Sequence, residues 1–172
     1  MRLNSQCVLL AGFLILSVTS LQAKARFWTK RDMIEKSSVI ALVEMKEVQH
    51  LQPTRQFGDQ EATFTPIRIL KGQMNARGEH VFTRCFYPCA ITQVKPGTWL
   101  VFLQRKKDGK LFGFNWQLSY LAITNETVKW YKGERTLSLK TTKLDTVVQE
   151  IQSICAECHV ETGWRRSQLL VD

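Results

Sequence analysis

Residues 98–104 (TWLVFLQ) are apolar on both alternating faces, with Pro96-Gly97 before them and Asp108-Gly109 after. A strand of that kind needs cover on both sides, so it predicts a central strand rather than an edge. Asp-Gly between two such runs is a two-residue hairpin signal, which makes residues 111–116 (LFGFNW) the returning strand. Earlier strands are predicted at residues 37–48 (SSVIALVEMKEV), 62–70 (ATFTPIRIL) and 79–86 (EHVFTRCF), with Pro66 marking an edge or a bulge. Residues 50–61 are polar and hold Pro53 and Gly58, as in an exposed loop or wide hairpin connection. Residues 120–124 and 127–131 flank Asn125-Glu126 as a further hairpin. Two helices are predicted at the ends. Thr29 and Asp32 form a capping box for the first, with Met33 and Ile34 buried. Thr142 and Asp145 cap the second, whose apolar face is Leu144, Val147, Val148, Ile151, Ile154 and Cys155. Short strands between terminal helices predict a small β-barrel or β-sandwich of the α+β kind.

The composition agrees with one globular domain. Of 172 residues, 44% are hydrophobic and 23% charged, which excludes collagen-like, low-complexity and disordered chains. The first residues read differently from the rest. Met1-Arg2 is followed by an apolar run over residues 7–18 (CVLLAGFLILSV) and a small-residue exit over 19–25 (TSLQAKA). This predicts a secretory signal peptide over residues 1–23, cut after Ala23 or Ala25, and a single domain over 24–172. The rival is an uncleaved anchor, for which the run is short. No second long apolar segment follows, so the processed chain is expected outside the cytoplasm, periplasmic or secreted, without stable membrane insertion.

Removing Arg2 takes the formal charge from +9 to about +8. Small basic clusters lie at Lys24/Arg26/Lys30/Arg31, at Arg105/Lys106/Lys107/Lys110 and at Arg165/Arg166. Outside the cell such clusters meet acidic polysaccharide or anionic headgroups. No base-reading motif accompanies them, so nucleic acid is not an expected partner.

Four segments carry a resemblance: KSSVIALVEM (residues 36–45), FTPIRILKG (64–72), KPGTWLVFLQ (95–104) and YLAITNETVKWY (120–131). Together they resemble bacterial secreted domains of the netrin-like class, over roughly residues 28–153. The resemblance implies the OB-type barrel shared with tissue inhibitors of metalloproteinases. The fold expected is therefore α+β, mainly β: a small OB-type (netrin-like) barrel with a short N-terminal and a longer C-terminal helix. One departure limits what carries over. Those inhibitors begin with a cysteine that chelates the protease zinc, whereas this processed chain would start at Lys24 or Arg26, with no cysteine near. No inhibitory residue is assigned.

Four cysteines survive processing: Cys85, Cys89, Cys155 and Cys158. An even number in an exported chain favours disulfides, and three connectivities remain open. Local pairing closes very small loops; the crossed pairings close loops of roughly 70 residues, worth about 4 kcal/mol each in the chain-entropy model. Cys155-Ala156-Glu157-Cys158-His159 is also C-x-x-C-H, the covalent haem c attachment pattern. In that alternative Cys155 and Cys158 form thioethers, and His159 becomes an axial ligand. No Met or His follows His159, so a sixth ligand would be His50, His80, Met33, Met45 or Met74, or be absent. A further alternative places zinc on Cys85, Cys89, Cys155 and Cys158, with or without His159. A redox-active C-x-x-C fits poorly at the end of a helix, since such pairs use the N-terminal dipole.

The chain contains no G-x-S-x-G, H-E-x-x-H, phosphate-cradling or dinucleotide motif. His50, in a polar loop, and His80, at a strand start, read as surface residues. The tryptophans and phenylalanines read as core; Trp116, Trp130 and Tyr131 stand out as candidates for an exposed strand face. Asn125-Glu126-Thr127 has the form of a glycosylation sequon. The reading is an exported, non-enzymatic binding module for a protein or an anionic glycan, with structural cysteines and no cofactor expected.

Overall fold

A computed structural model describes residues 28–51, 60–83, 94–113, 118–134, 138–156 and 158. Helix α1 (Lys30–Lys36) is followed by β1 (Val39–His50), β2 (Gln60–Lys71), β3 (Glu79–Thr83), β4 (Gly97–Arg105), β5 (Leu111–Gly113) and β6 (Tyr120–Ala122). Then come β7 (Thr127–Tyr131), β8 (Leu139–Lys143) and helix α2 (Leu144–Ile154). The first five strands close in the order β1-β2-β3-β5-β4-β1, with β3 and β5 parallel and every other contact antiparallel. The fold is thus mainly β, a closed five-stranded barrel with two helices, consistent with a small OB-type barrel. β6 extends it by pairing with residues 99–101 of β4, while β7 and β8 form a separate two-stranded sheet.

The run over residues 98–104 is central, and the reason is visible on both its faces. Val101 and Leu103 of β4, with Val39, Ala41, Val43 and Met45 of β1, fill the barrel interior. The alternate residues Leu100, Phe102, Ile40 and Leu42 point the other way, into a second core. That core is roofed by Met33 and Ile34 of α1, Trp130 of β7, and Leu144, Val147 and Ile151 of α2. The β1–β4 wall therefore separates two cores, and its residues 39–43 and 99–103 are apolar on both faces.

Local signals explain much of the detail. The capping box of α1 is present: Asp32 N–H donates to Thr29 Oγ1 (3.0 Å), and Thr29 N–H donates to Asp32 Oδ2 (3.3 Å). Lys71 closes the other end of this helix, its Nζ donating to the carbonyls of Ile34 (3.2 Å) and Glu35 (2.8 Å). Pro66 sits opposite Val43 at a register shift of the β1–β2 ladder, the bulge its missing N–H requires. Gly72 has φ +74°, and a Cβ there would lie 2.1 Å from the Ser38 carbonyl oxygen, so only glycine fits.

Several sequence expectations change. His50 is not in a loop; β1 runs on to pair it with Gln60, though it stays exposed. Asn125 (φ 49°) and Glu126 (φ 56°) do make a tight turn, but Thr124–Thr127 is its single bridge. Beyond it β6 joins the barrel while β7 pairs with β8, a strand the sequence did not announce. Thr142 lies inside that ladder opposite Val128 and cannot cap α2. The helix starts directly after the strand, with no side-chain cap on Lys143; Leu144 N–H donates to the Glu126 carbonyl instead (2.8 Å). Trp130 and Tyr131 are buried core residues, not an exposed platform, and Trp116 lies outside the described residues. Among the described residues no helix is long and apolar enough to cross a membrane.

Candidate functional site

The basic cluster at Arg105, Lys106, Lys107 and Lys110 is the β4–β5 hairpin. Its turn lies where Asp108-Gly109 placed it but has a three-residue loop, residues 107–109, rather than two: Gly109 N–H donates to the Lys106 carbonyl and Lys106 N–H to the Lys110 carbonyl, both at 2.9 Å. Gly109 takes φ +81°, and the Asp108 carboxylate accepts from Lys110 N–H (3.1 Å). Lys106, Lys107 and Lys110 are exposed, and none is ion-paired with a carboxylate among the described residues.

Arg105 behaves differently from the three lysines. Its guanidinium forks onto Glu79, Nη1 to Oε2 at 3.0 Å and Nη2 to Oε1 at 3.1 Å. It also donates to the carbonyls of Gly109 (2.8 Å) and Gln73 (2.9 Å). One side chain thus ties the hairpin tip, the start of β3 and the β2–β3 connection together, so it belongs to the scaffold. Burial raises the Glu79 carboxyl pKa, but hydrogen bonds from Arg105 and Asn75 N–H, with the guanidinium charge, outweigh it and leave it below the ordinary value.

Beneath the lysines lies an aromatic pair that sequence reasoning assigned to the core. Phe82 and Phe112 occupy the same rung of the parallel β3–β5 ladder, and their rings stack with centroids 5.3 Å apart. Their neighbours Val81 and Leu111 fill the barrel, which puts Phe82 and Phe112 on its outer face, half-buried. Lys106 Nζ stands 4.1 Å from the Phe112 centroid, and Lys110 Nζ 5.2 Å from that of Phe82. The signal was the alternation of each strand. Reading it needed the β3–β5 pairing, which spans distant parts of the chain. A groove of ≈ 560 Å³ opens beside the outer half of β2, walled by Pro66, Ile67, Ile69 and Met74, with Gln73 linking it to Arg105.

The remaining candidates separate from this site. Cys155 and Cys158 form a disulfide (Cα–Cα 5.3 Å), the local pairing among those left open. Both are buried at the end of α2 against the helical core. In that covalent state neither sulfur can form a thioether to haem or a thiolate bond to zinc. Cys85, Cys89 and His159 lie outside the described residues. His80 Nδ1 lies 3.2 Å from Glu61, and His50 Nε2 lies 3.4 Å from Gln60 Nε2. In these contacts the one histidine faces a carboxylate and the other a side-chain amide. A buried cation does occur elsewhere: Lys30 pairs with Glu150 and with Glu134 (3.0 Å), and Trp130 Nε1 donates to Glu150 (2.6 Å). This network joins α1, β7 and α2 and is structural.

Compared with known proteins, the chain matches no family model, no curated sequence and no solved structure at a significant level.

Proposed function

We propose that this chain is an exported, non-enzymatic binding module of the OB-type, netrin-like class, whose ligand is a protein or an anionic glycan. The observation that carries the reading is the β4–β5 hairpin of the closed barrel, with Lys106, Lys107 and Lys110 exposed on it. OB-type barrels take ligands at this connection and at the face of β2 and β3. Fold alone does not select the ligand, but three ammoniums without ion-pair partners among the described residues select its charge. In this reading the Cys155–Cys158 disulfide is structural and no cofactor is required.

The test is binding of the processed protein to extracellular proteins and glycans from its own surroundings at two salt concentrations. The expected result is a partner whose affinity falls with salt and on K106A/K107A. Salt-insensitive binding, or binding indifferent to those lysines, removes the hairpin from the function. A Soret band on protein made with haem-maturation machinery, or stoichiometric zinc, would replace the reading altogether.

A further inference from the structure

We propose that the outer edge of β8 is a strand-addition site, and that its occupant is an extended acidic segment of another protein. This surface is separate from the β4–β5 hairpin. Two bonds fix the phase of the β7–β8 ladder: Lys132 N–H donates to the Ser138 carbonyl at one end, and Leu144 N–H to the Glu126 carbonyl at the other, both at 2.8 Å. With the register between them, Val128–Thr142 and Trp130–Lys140 are the pairs that exchange hydrogen bonds. Leu139, Thr141 and Lys143 therefore turn their backbone groups away from β7. Among the described residues no strand pairs with that side of β8, and no backbone bond outside the ladders reaches these three residues. The Lys143 carbonyl is the first acceptor of α2, so the edge offers the N–H groups of all three residues and the carbonyls of Leu139 and Thr141.

Such an edge takes an extended chain through its main-chain groups, and the side chains beside it choose which chain. Lys143 lies opposite Thr127 and Thr141 opposite Lys129, so these four share one face of the two-stranded sheet. Both lysines are exposed, and neither is ion-paired with a carboxylate among the described residues. Lys129 Nζ donates to Thr141 Oγ1 (2.8 Å), which carries its charge across to the edge strand. Lys140, on the other face of β8, is exposed too. Glu134 and Glu150 are taken by Lys30, which leaves Glu126 in the turn and Asp145 in α2 as the acidic groups at the ends of this sheet. A second copy of the chain would bring the lysines of two such edges together, so the charge that repels self-pairing selects an acidic strand.

The ladder also sets the order of side chains in the occupant. An antiparallel segment exchanges bonds with Thr141 and then Leu139, and its residues opposite Lys143, Thr141 and Leu139 share the face of the two lysines. The fitting order, from the N-terminus, is acidic, any, acidic, any, apolar. The first carboxylate meets Lys143, the second stands opposite Thr141 where Lys129 reaches, and the apolar side chain covers Leu139. Leu139 is 38% exposed and, with Leu51, is one of the two large apolar side chains left exposed among the described residues.

The experiment is a titration of the processed protein with the peptide acetyl-TETETVT-amide, followed by backbone amide chemical shifts. Saturable shifts and slowed amide exchange are expected at Leu139, Thr141 and Lys143. Methylating the backbone nitrogens of the peptide's second glutamate and its valine should abolish binding, because those N–H groups face β8. Methylating the two threonines that flank the second glutamate should leave affinity within about threefold. Lysine in place of both glutamates should abolish binding, and K129Q/K143Q should weaken it by about fivefold or more with the circular dichroism spectrum unchanged. Thr141→Pro removes an edge N–H and none from the β7 ladder, and should weaken binding as much. K106Q/K107Q should leave affinity within about twofold. Equal effects of the two methylated peptides would mean attraction by charge alone and would overturn strand addition. Full affinity in folded K129Q/K143Q would overturn the acidic occupant. Shifts confined to Lys106, Lys107 and Lys110, or no saturable shift at millimolar peptide, would overturn the site, while the hairpin reading stands or falls by its own test.

Discussion

The phenol oxygen of Tyr120 stands 2.7 Å from the amide nitrogen of Gly113 and accepts its hydrogen bond. It also donates to the Phe82 carbonyl (3.3 Å), so one hydroxyl bridges β3 and β5 just past their last shared rung. A Cβ at position 113 would come within 2.4 Å of the same ring, which is why glycine is found there. Burial raises the Tyr120 pKa well above its ordinary value, which keeps the bridge protonated. Tyr120→Phe should cost about 1–3 kcal/mol, since it leaves a buried N–H and a carbonyl without their partner. Gly113→Ala should cost more, as a clash with the buried Tyr120 ring rather than a lost bond. Urea midpoints of the two variants check the order.

The two helix starts make a paired prediction. Thr29→Ala removes a real capping box and should cost about 1 kcal/mol. Thr142→Ala, at the position that resembles a cap but is a strand residue, should change stability by less than about 0.5 kcal/mol. Equal losses in thermal unfolding would mean that Thr142 caps α2 after all.

Stability should fall at both ends of the pH scale for different reasons. Asp32 and Glu150 hold depressed pKa values, as Glu79 does. For Asp32 the largest cause is the hydrogen bond from Lys36; for Glu150 burial opposes, and Lys30 and Trp130 prevail. Each contribution is present above the ordinary carboxylate value and is lost as pH drops through the depressed folded one. Lys30 runs the other way: burial lowers its pKa, its two glutamates raise it further, and the net is upward. Its contribution is present below the ordinary lysine value and fades as pH rises through the raised one. Glu150→Gln should flatten the acid limb of a stability-versus-pH curve; an unchanged limb would assign it to other carboxylates.

Reduction of Cys155–Cys158 should lower the unfolding midpoint without unfolding the protein. The loop is so short that the chain-entropy contribution is about 2 kcal/mol, against about 4 for a loop of roughly 70 residues. The checks are the intact mass before and after reduction and far-ultraviolet circular dichroism of the C155A/C158A variant. Collapse of the spectrum would show that the pair holds more than its own turn.

What could be read from the sequence was what depends on neighbours. The α1 box needs Thr29 and Asp32 and formed as written; the β4–β5 turn needs Asp108 and Gly109 and formed in place, with a loop one residue longer. The apolar run over residues 98–104 announced a strand covered on both faces. What could not be read depends on partners far along the chain. Lys30 looked like one member of a basic cluster, but it is buried because Glu150, 120 residues on, meets it. β8, which carries Leu139, Lys140 and three further polar residues, has no apolar alternation and exists because β7 offers it an edge. Half of the candidate site was legible: its lysines lie together in the sequence, but its rings meet across a parallel pairing that no local pattern encodes.

Ile40 and Ala41 are consecutive residues, yet one serves the helical core and the other the barrel. Because β1 and β4 are common to both, the helices cannot come away without stripping one side of the barrel wall, and the barrel cannot open without taking the helices' floor. The molecule has two interiors that should unfold together. Any partner gripping the β4–β5 hairpin therefore stiffens the helical layer too, through strands it never touches.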